Sequence, residues 1–322
     1  FLMRQIVFNK EYWIVSVVFV LALVLRLPTL ASPLIEDEAI SFNRYIDKPW
    51  GSLIYNYYDT NQHTLFLLLS KFSIWVLGES EIAYRLPSFL AGIFSIPLTY
   101  MLGRIIKVPW PSAVISALLM GISWPHLKYS LEGRGYSLTI FLVLLATYSA
   151  VRLLNDPRLR WGSIFIVAGF AMTMALPSNL FFLSGLAIFT VLTKYLESKE
   201  NMFSVKSIIW TGVPALITFV LVGVYFLVIY EGLKYGKSVH PLPIDGERIG
   251  RIMRFLVAPW GPWMYLFFAF GFWRLREKRE KALFAIIFTV PMILTLVTGA
   301  VGFARTYVYW LPFVLFLSAY GM

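Results

Sequence analysis

The stretch Thr64-Leu65-Phe66-Leu67-Leu68-Leu69-Ser70-Lys71-Phe72-Ser73-Ile74-Trp75-Val76-Leu77 decides how the rest of the chain is threaded. It is apolar, but at about 14 residues it is short of the ~20 that a helix needs to cross a bilayer. It also carries Ser70 and Lys71, which favours a helix lying along the membrane surface over one that spans it. If it crossed, every later loop would change sides.

The surrounding charge pattern supports the surface reading. Ten apolar runs fall at about 12–27, 86–103, 111–127, 137–153, 161–177, 179–195, 207–230, 255–272, 282–299 and 307–322. With 64–77 left uncrossed, one set of connections collects most of the Lys and Arg. It holds Arg4 and Lys10; Arg104 and Lys107; Arg152, Arg158 and Arg160; Lys194, Lys199 and Lys206; and Arg274, Arg276, Lys278, Arg279 and Lys281. Basic short loops mark the cytoplasmic side. The other side then holds residues 28–85, 128–136, the turn Leu176-Pro177-Ser178-Asn179, residues 231–254 and 300–306. Residues 231–254, rich in Gly and Pro, read as a surface loop.

Composition agrees with a polytopic helical membrane protein. Of 322 residues 59% are hydrophobic and only 14% charged, and the mean hydropathy is +0.72. Aromatics reach 17%, as interfacial belts require. The net charge of +11 is explained by basic loops, so no nucleic-acid partner is inferred. The absence of cysteine excludes disulfides and thiolate chemistry. No small-residue cleavage site follows the first apolar run, so a cleavable signal peptide is not expected.

Two acidic segments meet on the non-cytoplasmic side. Ile35-Glu36-Asp37-Glu38-Ala39 follows the first span, and Tyr129-Ser130-Leu131-Glu132-Gly133-Arg134-Gly135-Tyr136 joins two later ones. Acids at the end of a spanning helix are costly unless they face water or a polar cleft. Glu36 and Asp37 could simply cap the helix that begins near Ala39. In a partly dry cleft, Asp37 or Glu38 would instead serve as a general base towards an acceptor hydroxyl. Glu132 is a third carboxylate facing the same cleft. Arg134 offers a planar fork for a phosphate, against the plainer reading of an interfacial pair with Lys128. Arg85 and Arg305 are membrane-end anchors or further phosphate ligands. With three histidines (His63, His126 and His240) and no cysteine, a His-based zinc site is not expected, and His126 and His240 read as structural. No nucleotide fingerprint or nucleophile elbow is present. Acids among scattered arginines at one membrane face point to an enzyme acting on a charged lipid.

The order of these motifs resembles the GT-C superfamily of membrane glycosyltransferases. The resemblance is to the branch of protein O-mannosyltransferases and aminoarabinose transferases, family 39 and its relatives. It rests on Asp37-Glu38-Ala39, on His63-Thr64-Leu65-Phe66, on Gly78 to Ser88 with Tyr100-Met101-Leu102-Gly103-Arg104, and on Tyr129 to Leu138. Arg305-Thr306-Tyr307 with Leu311-Pro312 is similar to the family's stretch near its last core spans. His63 lacks the prolines that usually follow it in the family.

The resemblance implies an all-α, polytopic transmembrane fold of about ten spans. It implies a single GT-C-like domain over residues 1–322, with juxtamembrane helices in a first external loop at about 28–85. An acceptor-binding C-terminal part would lie beyond residue 322 or on a partner subunit. It further implies inverting hexosyl or pentosyl transfer from a polyprenyl-phosphate sugar to a protein, lipid or glycan acceptor. The reaction belongs on the non-cytoplasmic face of the plasma (inner) membrane, as in cell-envelope glycosylation. Asp37, Glu38 and Glu132 are then the catalytic candidates, Arg134, Arg85 and Arg305 the donor-phosphate candidates, and His63, Lys128 and Tyr136 further substrate-binding candidates. No cofactor is required, and a divalent cation held by the acids stays open. Two other readings remain: a lipid or sugar transporter, and a non-catalytic subunit of a larger complex. A transporter predicts inverted repeats and helices broken at mid-membrane, neither of which the sequence shows.

Overall fold

The computed structural model describes residues 10–200, 205–239, 246–299 and 302–322. His240 lies outside the described residues. The described residues form helices α1 (Lys10–Leu30), α2 (Glu36–Tyr45), α3 (Trp50–Tyr55), α4 (Thr64–Leu77), α5 (Glu81–Ile105) and α6 (Trp110–Ile122). Next come α7 (Trp124–Leu131), α8 (Gly135–Asn155), α9 (Leu159–Ala175), α10 (Asn179–Glu200) and α11 (Val205–Val228). The remainder is α12 (Tyr230–Val239), α13 (Gly246–Leu256), α14 (Trp263–Arg274), α15 (Lys278–Thr298), a 3-10 turn (Ala304–Trp310) and α16 (Leu311–Gly321).

Six helices are long and apolar enough to cross a membrane: α1, α5, α8, α10, α11 and α15. The chain is a multi-pass membrane protein. The other apolar runs are helical too, but α6 has 13 residues, α9 has 17 and α14 has 12. Length alone therefore does not establish ten spans. α8 is the central helix, with 83% of its apolar window buried, while α1 and α15, at 28%, line the periphery.

α4 begins and ends at the same end of the bundle. At its start, His63 touches Arg134; midway along it Ser70 Oγ donates to the Tyr84 carbonyl at 2.8 Å, and its last residue, Leu77, stands four positions before the start of α5. Arg85, one residue on, reaches Glu38. That end also holds residues 28–85 and 128–136, as the loop count requires. At the opposite end Arg279 donates to Asn155 Oδ1 at 2.8 Å and Arg104 pairs with Glu11 at 3.2 Å.

The expected run 255–272 is split between the end of α13 and α14, and two further differences from the sequence reading bear on the site. The run 111–127 is divided at Ser123 into α6 and α7. Pro125 has no N–H for the Gly121 carbonyl and cannot continue the helix. Arg26 Nη2 donates to that orphaned carbonyl at 3.0 Å. Arg26, fully buried, also donates to Ser130 Oγ at 2.8 Å, the Ala22 carbonyl at 2.9 Å and His126 Nδ1 at 3.0 Å. Since Arg26 can only donate, His126 Nδ1 accepts, and His126 Nε2–H donates to Ser95 Oγ at 2.7 Å. His126 is thus a structural acceptor. The second difference is in 231–254, where α12 and α13 replace much of the expected loop. Its glycines are accommodated within helices whose other residues follow a helical period.

Candidate functional site

Asp37 and Glu38 sit in the first turn of α2, where the helix dipole favours negative charge. Glu36, just before them, holds φ at 47°, a left-handed backbone conformation unusual outside glycine. Successive side chains there point in different directions, so the two acids have different partners.

Glu38 is buried and forms a two-pronged pair with Arg85. Arg85 Nε donates to Oε1 and Nη2 to Oε2, each at 2.6 Å. The remaining Arg85 hydrogens go to the Leu30 carbonyl at 3.0 Å, the Pro33 carbonyl at 3.1 Å and Ser32. Arg85 is only 2% exposed and has no donor left for a phosphate. Of the donor-phosphate candidates, Arg85 is thus the one whose N–H groups all go to protein partners in this arrangement. Glu38 Oε1 also accepts the Gly133 N–H at 2.7 Å. The pair is a bracket that ties α2, α5 and the 132–134 turn together.

Asp37 turns the other way. Its Oδ2 lies 3.1 Å from Arg134 Nη1 and 2.9 Å from Arg305 Nη2. Its side chain is 34% exposed. No partner of Oδ1 is among the described residues.

Arg134 is held from behind. Its Nε and Nη2 both donate to His63 Nε2, at 3.1 and 2.9 Å. Nη2 also reaches Asn61 Oδ1 at 3.3 Å and the Tyr136 hydroxyl at 3.4 Å. His63 Nε2 must therefore accept, and Nδ1–H donates to the Ala175 carbonyl at 3.1 Å. Burial, and then the charge of Arg134, pushes the His63 imidazole well below its ordinary value, so it stays neutral. The Tyr136 ring lies between the two guanidinium groups, 5.5 Å from that of Arg134 and 6.0 Å from that of Arg305.

Two glycines make this approach feasible. A Cβ on Gly133 would stand 2.3 Å from the Tyr84 ring and 2.9 Å from Glu38 Oε1. One on Gly135 would stand 2.7 Å from the Ala175 carbonyl and 2.9 Å from His63 Nδ1. The motif Glu132-Gly133-Arg134-Gly135 thus places an arginine between two close backbone crossings.

The remaining candidates lie at the rim. Glu132 pairs with Lys128 at 3.4 Å across one helical turn. Burial pushes the Glu132 carboxyl above its ordinary value, with Lys128 opposing. Sequence reasoning missed Asn61 and Ser88, whose hydroxyl donates to the Arg134 carbonyl at 2.7 Å. Neither residue has a chemical signature that separates it from a loop or helix polar group. Among the described residues no group of three or more His, Cys, Asp or Glu is placed to hold a metal ion. Guanidinium groups occupy the positions around Asp37 where further carboxylates would be needed.

The charge balance identifies what the cleft can hold. Glu38 is matched by Arg85 and Glu132 by Lys128, while Asp37 stands against two arginines. Arg305 Nε is buried and has no hydrogen-bond partner, and Arg134 Nη1, although 3.1 Å from Asp37 Oδ2, makes only an ion pair with it and no aligned hydrogen bond. Buried donors of that kind are costly unless something accepts from them. The cleft thus combines surplus positive charge, an unspent N–H group and an adjacent carboxylate oxygen.

No family model matches the chain, and no curated relative matches it either. Solved structures do. The Saccharomyces cerevisiae protein O-mannosyltransferase Pmt1-Pmt2 complex bound to the sugar donor aligns with a TM-score of 0.56 at 18% identity, over 76% of this chain and 36% of that one. The Archaeoglobus fulgidus oligosaccharyltransferase in the apo form aligns with a TM-score of 0.57 at 14% identity, over 97% and 50%. The same archaeal enzyme, AglB, in complex with an inhibitory peptide and a dolichol-phosphate, gives a TM-score of 0.53 at 14% identity, over 97% and 50%. The chain thus spans between about a third and a half of the length of the structures it matches. By its fold, this membrane chain, helical with no strand among its described residues, is similar to a protein O-mannosyltransferase and an archaeal oligosaccharyltransferase.

Proposed function

We propose that residues 1–322 form the membrane-embedded catalytic unit of an inverting glycosyltransferase that uses a polyprenyl-phosphate sugar. The observation that carries this reading is the pair of guanidinium groups on Asp37, with Arg305 Nε buried and unpartnered and Arg134 Nη1 held to Asp37 Oδ2 by an ion pair at 3.1 Å without an aligned hydrogen bond. A donor phosphate satisfies both. In the reaction, Asp37 Oδ1 accepts the proton of an acceptor hydroxyl or amine as that group attacks the anomeric carbon from the face opposite the phosphate. The bond between the anomeric carbon and the phosphate oxygen breaks, and polyprenyl phosphate leaves with the electron pair. The two arginines stabilise the charge that develops on it. His63 and Tyr136 hold Arg134 in place, so little reorganisation accompanies transfer. Glu132 and Lys128 border the acceptor side, and the Glu38–Arg85 bracket fixes the level of Asp37.

The site end is assigned to the non-cytoplasmic side from the basic loops at the other end. The cysteine-free chain permits a direct check. Ser52→Cys and Lys128→Cys should both label with an impermeant thiol reagent from the outside, and Arg158→Cys only after permeabilisation. Labelling of Ser52→Cys and Lys128→Cys from opposite sides would break the assignment.

The function is tested with purified protein in lipid nanodiscs given radiolabelled polyprenyl-phosphate hexose or aminopentose. Sugar should pass to an acceptor fraction from the membrane, and donor binding should be lost in Arg134→Ala/Arg305→Ala. Donor binding unchanged in that double variant would sink the phosphate site. Donor translocation without transfer would indicate a transporter, and neither activity a scaffold subunit.

A further inference from the structure

α13 lies beside the cleft and takes no part in the reaction just drawn. Its sequence is Gly246-Glu247-Arg248-Ile249-Gly250-Arg251-Ile252-Met253-Arg254-Phe255-Leu256. At helical spacing Arg248, Arg251 and Arg254 fall on one side with Glu247, and Ile249, Ile252, Met253 and Leu256 fall on the other. Ile252 and Leu256 are buried. The helix packs against the 3-10 turn that carries Arg305. The Phe255 ring meets that of Tyr129 at 6.0 Å, and Tyr129 in turn meets Tyr136 at 4.6 Å.

The outer surface of α13 is left in two strips. Ile249 and Met253, each 40% exposed, form an apolar one. The arginines form a basic one. Arg251 pairs with Glu247 at 2.6 Å, and Arg254 is exposed with no carboxylate of the described residues within ion-pair distance. Arg251 and Arg254 thus share one acid, Glu247, on this strip of the described residues. The chain then enters α14, where Trp263 is 70% and Leu266 65% exposed, an apolar surface turned to lipid. α13 therefore sits at the level where lipid tails give way to headgroups.

Membrane topology does not account for these arginines. Loop charge concentrates at the opposite end, and a three-arginine helix at the site end runs against that pattern. A ligand of opposite charge does account for them. Free phosphate would use the basic strip and leave Ile249 and Met253 without a role. A molecule with an anionic head and an apolar tail uses both.

We propose that α13 binds anionic phospholipids of the leaflet at the site end, holding their headgroups beside the Asp37–Arg134–Arg305 cleft. Arg251 and Arg254 contact the headgroup phosphate, and Ile249 and Met253 contact the first methylenes of the chains. This interaction stands independently of the sugar-transfer reading.

The test uses an Ile249→Cys variant carrying an environment-sensitive fluorophore, in phosphatidylcholine vesicles doped with spin-labelled phosphatidylglycerol or spin-labelled phosphatidylcholine. Quenching gives the relative association of the two lipids with α13. The anionic lipid should be preferred by about 3- to 10-fold at low salt, and the preference should fall as salt rises. Adding Arg251→Gln and Arg254→Gln should bring the ratio close to one. Both side chains are exposed, so an unchanged unfolding temperature is expected and checks that the variant is folded. A ratio of one in the parent, no quenching by either lipid, or a preference that survives the double substitution would each overturn the proposal.

Discussion

Arg26 and Arg134 are equally buried, at 0% and 2% exposure, and each donates to a neutral histidine. They are nevertheless different kinds of residue. Arg26 has no carboxylate partner, and carbonyls, Ser130 and His126 take its hydrogens. It closes a helix break that Pro125 opens. Arg134 is hydrogen-bonded on one edge only, and on its other edge Nη1 meets a half-open carboxylate by an ion pair without an aligned hydrogen bond. A saturated buried arginine belongs to the scaffold. An unsaturated one beside a cleft is poised for an anion that arrives later.

The strongest way to break that contrast is to remove the carboxylate. Asp37→Asn keeps size and hydrogen bonding, and should lower sugar transfer by ~10²–10⁴-fold while leaving thermal unfolding nearly unchanged. A near-normal turnover number would show that Asp37 is not the base and move attention to Glu132.

The next test exchanges the two arginines' roles. Arg26→Met strands the Gly121 carbonyl, Ser130 and His126, and should cost on the order of 3 kcal/mol in unfolding measured in detergent. Surviving folded protein should bind donor normally. Arg134→Ala should do the reverse, weakening donor binding about tenfold or more, a charge-assisted contact being worth ~1.5–3 kcal/mol. Arg134→Lys should fall between, because it keeps charge but loses the fork. Equal losses of stability and unchanged donor affinity would erase the distinction.

Much of the scaffold could be read from the sequence, because hydropathy reports lipid contact directly and short basic loops report sidedness. α4 is legible as a helix too short to be counted a span from its 14-residue length. The position of α13 was harder to read. Arg248, Arg251 and Arg254 keep a helical period, but two glycines and the preceding prolines resemble a loop. The acids and Arg134 stood out because charge is rare in such a chain. Which acid meets which arginine did not, since Glu38 and Arg85 are 47 positions apart. Only packing decides that Glu38 faces inwards and Asp37 outwards. Arg26 was invisible as a network residue for the same reason: nothing local says that its partners are Gly121, His126 and Ser130.

A smaller effect follows from His63. Its folded value lies well below the ordinary one near 6.5, so the unfolded chain binds a proton that the folded chain refuses. The stability it contributes is present above that unfolded value and is lost as pH falls below it, by up to about 1.4 kcal/mol per pH unit. Glu132, raised by burial, works in the opposite sense, its share being present at acid pH and lost as pH rises through its folded value. Unfolding temperatures between pH 7.5 and 5.5 should therefore decline on acidification in the wild type. The decline should be flatter in His63→Gln, which can still accept from Arg134. Parallel curves for the two proteins would mean that His63 does not set the dependence.

The smallest effect is expected at the far end of the bundle. Arg279 donates to Asn155 Oδ1 at 2.8 Å and to the Val151 carbonyl at 3.3 Å, and lies 3.7 Å from Glu197. Its side chain is 25% exposed, and these partners belong to loop and helix ends that share no contact with the Asp37 cleft. Partly solvated contacts of this kind are worth ~0–1 kcal/mol. Arg279→Ala should thus change kcat and donor affinity less than about twofold, with unfolding lowered by no more than that small amount. If transfer fell as steeply as in Arg134→Ala, coupling between the two ends would be required. The contrast between a bracketing arginine and a reactive one would then no longer follow from local hydrogen bonding alone.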